Sequence, residues 1–308
     1  MNTIMSLFVL PDVSDIAYFT DPAKSAGRSS NDHNNKIREH ILSAMPYIDD
    51  DYFNHPVYGE SWRTHKTALE TALREISPLY AFYKVVKKAG RGHNYDYKYK
   101  FYDSSQQQLS TEKVEFKYNA LTLGDAPQFV SPMKPSQYLS QSFEEYYYDR
   151  YLVNLLTDFG LEVPERSLYL SDIHKTEPNC MLSAQQLYYE GSKGSSRWAN
   201  SERAKAFYDA CRKCSKTSIS QFIQETDLRI DMLSDYLVKS QDKKVYLMYH
   251  QGVFRVNTVE SSDYRIVNYI KQPRFARYVA TIATGQTIKI LLRWKNGNGI
   301  AFPAFQIS

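Results

Sequence analysis

Glycine, cysteine and long apolar runs are all in short supply in this 308-residue chain. Each shortage excludes a class of protein. With 12 glycines, well below an average usage of about 7%, glycine-rich repeats and collagen-like structure are out. Three cysteines make an odd count in a large chain and argue against a disulfide framework. No apolar run approaches the roughly 18 residues of a membrane span, so no membrane partner is expected. No internal repeat or low-complexity tract is present. The opening MNTIMSLFVLPDVSD has an apolar run with no basic residue before it and no small-residue cleavage pattern. It reads as a first strand or packed N-terminal arm rather than a signal peptide, and the expectation is a soluble, intracellular protein. Charge of one sign is scarce as well. A net charge of +4 suits a polyanionic partner only if the excess is gathered on one face.

What is abundant is tyrosine, 26 residues of it. Tyrosine packs as an apolar ring and keeps a hydroxyl, which serves cores and wet interfaces alike. The chain is long enough for one large domain or two ordinary ones. After the loop TDPAKSAGRSSNDHNN, helices are expected in NKIREHILSAM and THKTALETALREI, the second with Ala68, Leu69, Ala72, Leu73 and Ile76 as its buried stripe. The period then changes. LYAFYKVVK, YDYKYKFYD and KVEFKYNA read as three strands joined by turns. A helix capped by Ser142 and Glu145 should run to Gly160, and the middle third is mostly helix or loop. Strand signals return in KKVYLMYHQGVFRVNTV, ARYVATIATG and TIKILLRWKNGNGIAFPAFQI. The expected fold is α/β, a mixed central sheet flanked by helices with a mostly helical middle region. Its parts are an arm and core at 1–160, a helical insertion or lobe at 161–240, and C-terminal strands at 241–308 that complete the sheet or serve the substrate.

Strand alternation gives the second and third strands two unlike faces. Tyr95, Tyr97, Tyr99 and Phe101 share one face with Val114, Phe116 and Tyr118, while Asp96, Glu115 and Lys117 fall on the other. A solvated strand face carries alternating Glu and Lys too. The set nevertheless has a joint chemical rationale. Hydrolysis of a phosphodiester needs a hard divalent ion, magnesium binds one or two carboxylates plus substrate phosphate, and a lysine on the same face can stabilise developing negative charge. An acid from a preceding helix, Glu70 or Glu75, would add a ligand or orient a metal-bound water.

Helix acid, strand, Asp strand, Glu-x-Lys strand, helix: in this order the segment from about 64 to 160 resembles the PD-(D/E)XK nuclease superfamily, the restriction-endonuclease-like proteins. GDAPQFVSPMKP and LLRWKNGNGIAFPAFQIS are similar to stretches in restriction-like endonucleases of large DNA viruses, which would place the protein in the cytoplasm or nucleus of a host cell. The resemblance implies a restriction-endonuclease-like core. It implies Asp96 and Glu115 as magnesium ligands (with manganese able to substitute), Lys117 as the catalytic lysine, and Glu70 as the helix acid, with Glu75 as the alternative. Tyr95 stands where the motif has proline. The implied activity is magnesium-dependent, restriction-type cleavage of double-stranded DNA to 5′-phosphate and 3′-hydroxyl ends, in the manner of a homodimer if both strands of a palindrome are cut.

Such an activity needs cations for backbone phosphates. Lys84, Lys87, Lys88, Arg91, Lys98 and Lys100 flank the proposed site, Lys193 and Arg197 sit in a glycine-serine loop, and Arg293, Lys295 and Asn296 sit by a late hairpin turn. His174, Cys180, Cys211 and Cys214 are the residue types of a structural zinc site, but a single Cys-x-x-Cys is a weak signal. Two alternatives remain open: an RNA endonuclease on the same fold, and a non-catalytic nucleic-acid-binding or structural viral protein whose Glu-x-Lys is a solvated strand.

Overall fold

The computed structural model describes residues 9–21, 24, 31–88, 93–125, 134–175, 179–193, 201–295, 297–300 and 302–308, less the side chains of Asn31, Asp32, Asp125 and Lys193. The chain forms two compact units: residues 1–127 with 241–260, and residues 128–240 with 261–308. None of the described helices is long and apolar enough to cross a membrane.

The first unit begins with α1 (Ala17–Thr20), α2 (Asn31–Ala44), α3 (Asp50–Phe53) and α4 (Gly59–Ile76). Apolar residues spaced at three and four in α4 bury Trp62, Leu69, Ala72 and Leu73. A mixed five-stranded sheet follows in spatial order β1 (Phe82–Lys87), β2 (Tyr97–Tyr102), β3 (Gln108–Tyr118), β4 (Lys244–His250) and β5 (Val253–Thr258). Every neighbouring pair is antiparallel except β3 and β4, which run parallel. Tyr97, Tyr99 and Phe101 are fully buried, and they join Val114, Phe116, Val245, Leu247, Tyr249 and Phe254 beneath the helices in one core. This is the aromatic face that strand alternation assigned to the interior.

The second unit has α5 (Phe143–Tyr147), one turn of π-helix (Tyr148–Leu152), α6 (Val153–Asp158), α7 (Arg166–Asp172), α8 (Leu182–Lys193), α9 (Glu202–Glu225) and α10 (Ile230–Gln241), where the chain passes back to the first unit. Its sheet is an antiparallel meander of β6 (Ile266–Gln272), β7 (Arg277–Ile282), β8 (Thr287–Trp294) and β9 (Pro303–Ile307). Phe143 of α5 lies 4.9 Å from Phe222 of α9 and 5.2 Å from Trp294 of β8, ring centre to ring centre, fastening helices to sheet. Gly299 has φ of 94°, and a Cβ there would meet the Tyr147 hydroxyl at 2.2 Å and its ring at 2.3 Å, so only glycine fits. The Ser142 hydroxyl accepts the Glu145 amide at 3.2 Å, but the Glu145 carboxylate pairs with Arg166 and does not close the capping box.

The compact units divide the chain differently from the expected boundaries near 160 and 240. Strands 244–258 do complete the first sheet, whereas the later strands build a sheet of their own. The reason is that pairing between β3 and β4 is parallel, and a parallel partner requires a long crossover. Here that crossover holds most of a second unit. β6, with Val267 and Ile270 exposed, has no clean alternation and was not expected.

Candidate active site

Asp96 sits one residue before β2, where β2 parts from β3. Its amide still donates to the Val114 carbonyl at 3.0 Å. Its carboxylate Oδ2 then takes the place of the missing strand and accepts the Phe116 N–H at 2.8 Å. Across this gap β3 presents Glu115 and Lys117 on the face away from the tyrosines. The arrangement follows from period-two alternation plus the end of one strand.

Glu115 is a buried carboxylate, 8% exposed, where a solvated strand would leave it in water. Its Oε1 accepts from the Lys117 ammonium and its Oε2 lies 2.5 Å from the Lys244 ammonium. Lys244 opens β4, and the parallel pairing sets it opposite Lys113, two residues along from Glu115. Its side chain is 1% exposed, against 16% for that of Lys117. Loss of water lowers the Lys244 pKa, opposed by the adjacent Glu115 charge. Loss of water likewise pushes the Asp96 carboxyl up to about 6, with the charges of Glu115 and Glu39 adding to the rise and the Phe116 N–H and Lys117 opposing it.

Glu39 is the helix acid that acts on Asp96. It projects from α2, pairs with Lys87 of β1 at 3.2 Å, and its backbone carbonyl accepts the Tyr97 hydroxyl at 3.0 Å. Glu70, the acid expected from sequence, lies instead beside Tyr80 and Tyr83, whose pKa values are raised chiefly by burial and further by its charge. Tyr80 donates to the Glu70 carbonyl at 3.4 Å, and Glu75 is exposed near the end of α4. The structure therefore gathers Asp96, Glu115 and Lys117 as expected, does not bring in Glu70 or Glu75, and adds Glu39 and Lys244. Glu39 carried a faint signal, an acid on the flank of the buried stripe of α2. Lys244 carried none, because its partner strand is remote in sequence.

Of the expected phosphate contacts, Lys98 stands on the same sheet face as Glu115. Arg293 donates to Gln306 at 2.7 Å and Lys295 lies 5.7 Å from the Phe302 ring centre, both in the second unit. Arg91, Arg197 and Asn296 lie outside the described residues, as does the side chain of Lys193.

Two carboxylates on adjacent strands are the hard oxygen donors that magnesium takes alongside water and phosphate. The Asp96 carboxyl, made unfavourable by burial next to other acids, is the kind of group a cation would relieve. Among the described residues no group of three or more His, Cys, Asp or Glu side chains is placed to hold a metal ion. Of the residues considered for zinc, His174 is engaged by a carboxylate, and Cys180, Cys211 and Cys214 are free thiols. His174 Nε2 lies 2.5 Å from Glu144, and Asp172 accepts the Asn179 and Cys180 amides at 2.7 and 2.9 Å. Burial pushes the Cys211 and Cys214 thiols up and the Cys180 thiol up to about 12. No family model, curated protein or solved structure matches the chain.

Proposed function

We infer that the first unit is a magnesium-dependent endonuclease acting on double-stranded DNA, with a restriction-endonuclease-like core. The observation that supports this most is the burial of Glu115 between two lysines beside a raised-pKa Asp96. Desolvated charge is expensive, and such clusters gather at sites where chemistry uses them. The succession of β1, the Asp96 strand and the Glu-x-Lys strand agrees with the resemblance, while the acid comes from α2, outside the stretch from 64 to 160 that carried it.

In this reading Asp96 and Glu115 hold the cation. The bound cation supplies charge neutralisation at the phosphate and a water of lowered pKa. The difference in exposure assigns the two lysines separate tasks. Lys244, sealed in, stays on Glu115 Oε2 and fixes the rotamer. Lys117, partly open to solvent, would release Glu115 to a bound cation and serve the scissile phosphate with its ammonium, where charge grows in the transition state. Glu39 faces Asp96 from the helix and orients water.

The test compares wild type with Lys117→Ala on mixed-sequence duplex DNA, with Mg²⁺ and then with EDTA. Discrete, metal-dependent fragments from wild type alone are expected. Equal cutting by both would move the site elsewhere. No cutting by either, on DNA or on RNA, would leave the ion cluster a structural staple and the protein a binder rather than an enzyme.

A further inference from the structure

The outer face of the first sheet carries lysines in opposed pairs. Lys84 and Lys100 are register partners across β1 and β2, and Lys98 and Lys113 across β2 and β3. All four alternate with core residues (Tyr83, Val85, Tyr97, Tyr99, Phe101 and Val114), so they share the face that bears Glu115. Like charges directly opposite one another destabilise a sheet. An ordinary solvated face would place an acid opposite at least one of them. Among the described residues no carboxylate pairs with any of the four. Lys113 rests on the Asp242 carbonyl at 3.3 Å, and Lys84 lies 5.3 Å from the Tyr102 ring centre. Tyr102 stacks on Phe82 at the far end of the same face.

The rows are also ordered relative to the site. Lys98 and Lys113 lie two residues along their strands from Asp96 and Glu115, and Lys84 and Lys100 lie two further on. At about 3.4 Å per residue the second lysine row is about 14 Å from the carboxylates. Measured along the duplex axis, that length spans about four phosphates of one DNA strand.

We propose that Lys84, Lys98, Lys100 and Lys113 form a track for the phosphodiester backbone of one strand of duplex DNA leading into the Asp96–Glu115–Lys117 site. The inference rests on the nuclease reading above. Lys98 and Lys113 take the phosphates nearest the cut, and Lys84 and Lys100 take those beyond. The repulsion within each pair is the cost of an empty track, and bound phosphate relieves it.

The experiment needs no catalysis. Binding of a labelled mixed-sequence duplex is measured in EDTA across a salt series for three proteins: wild type, Lys84→Gln/Lys98→Gln/Lys100→Gln/Lys113→Gln, and a control that loses the same charge from exposed helix positions, Lys205→Gln/Lys213→Gln/Lys216→Gln/Lys239→Gln. The track variant should bind at least about tenfold more weakly, with a log K against log salt slope shallower by about 3.6, while the control keeps the wild-type slope. Its thermal midpoint should hold or rise, because two repulsive pairs have gone. If it unfolds early, the two paired variants Lys84→Gln/Lys100→Gln and Lys98→Gln/Lys113→Gln replace it, each expected to lose about 1.8 of slope. Equal slopes for track variant and control overturn the track even if wild type binds and cuts DNA. Tighter binding of duplex RNA than of DNA overturns the assignment to DNA. A wild type that binds no duplex at all overturns the nuclease reading itself.

Discussion

Burial acts on two titratable side chains of the first unit with opposite dependence on pH. Asp96 rises from its ordinary 3.8 to about 6. A carboxyl whose pKa is raised by folding holds its proton more tightly in the folded state. Its cost is therefore absent below about pH 4 and complete above about pH 6, where it amounts to about 3 kcal/mol. Without metal, Asp96→Asn should be more stable than wild type at pH 8 by up to about that amount and level with it at pH 4, since an amide oxygen can still accept the Phe116 N–H. Urea unfolding at the two pH values reads this, and identical differences at both would remove the burial cost. His65 works the other way. Its ring lies 4.1 Å from Phe19 and 5.0 Å from Phe254, its Nε2 has no partner among the described residues, and burial pushes its pKa down to about 3. A base lowered on folding loses stability as pH falls from its ordinary 6.5, by about 5 kcal/mol at full titration. His65→Phe should abolish most of that acid loss, measured as the change in unfolding free energy between pH 7 and pH 4.5. An acid limb unchanged by the substitution would assign the loss to other groups.

Among the elements, β3 and β4 carry one carboxylate between two lysines of unequal burial. Removing one partner of a buried ion pair costs about 3–5 kcal/mol, whereas an exposed pair is worth about 1 kcal/mol or less. Lys244→Met should therefore cost more stability than Lys117→Ala, because the Lys244 side chain is 1% exposed against 16% for that of Lys117. On the nuclease reading, activity at permissive temperature orders the same variants in reverse, with Lys117→Ala the more damaged. Denaturant midpoints and cleavage rates on one set of proteins check both, and Lys117→Ala proving the less stable would break the division of tasks. The contrast also marks what could be seen in the sequence. Asp96, Glu115 and Lys117 were legible because strand alternation is a local property of Tyr-x-Tyr and Val-x-Phe spacing. Glu39 and Glu70 were not separable, since both are acids on helices that precede β1, and only packing shows which helix passes Asp96. Lys244 was illegible because its register against β3 depends on a parallel pairing that no local pattern encodes.

At the scale of the molecule, the first unit is built from two stretches of chain. Residues 241–260 bring β4 and β5, and with them Val245, Leu247, Tyr249 and Phe254 of the core. Each such side chain contributes roughly 1.5–3 kcal/mol on burial, more together than the usual net stability of a small domain leaves spare. Without β4, β3 becomes an open edge and Glu115 loses Lys244. Residues 1–127 alone should therefore be unable to fold cooperatively. The same stretch joined to 241–260 through a glycine-serine linker of about 20 residues, spanning about 25 Å as a random coil, should recover a single urea transition and a near-ultraviolet tyrosine signal. A cooperative transition from 1–127 by itself would show that the sheet closes without its parallel partner. The ion pair at Glu115 would then be an addition to a finished fold rather than part of its closure.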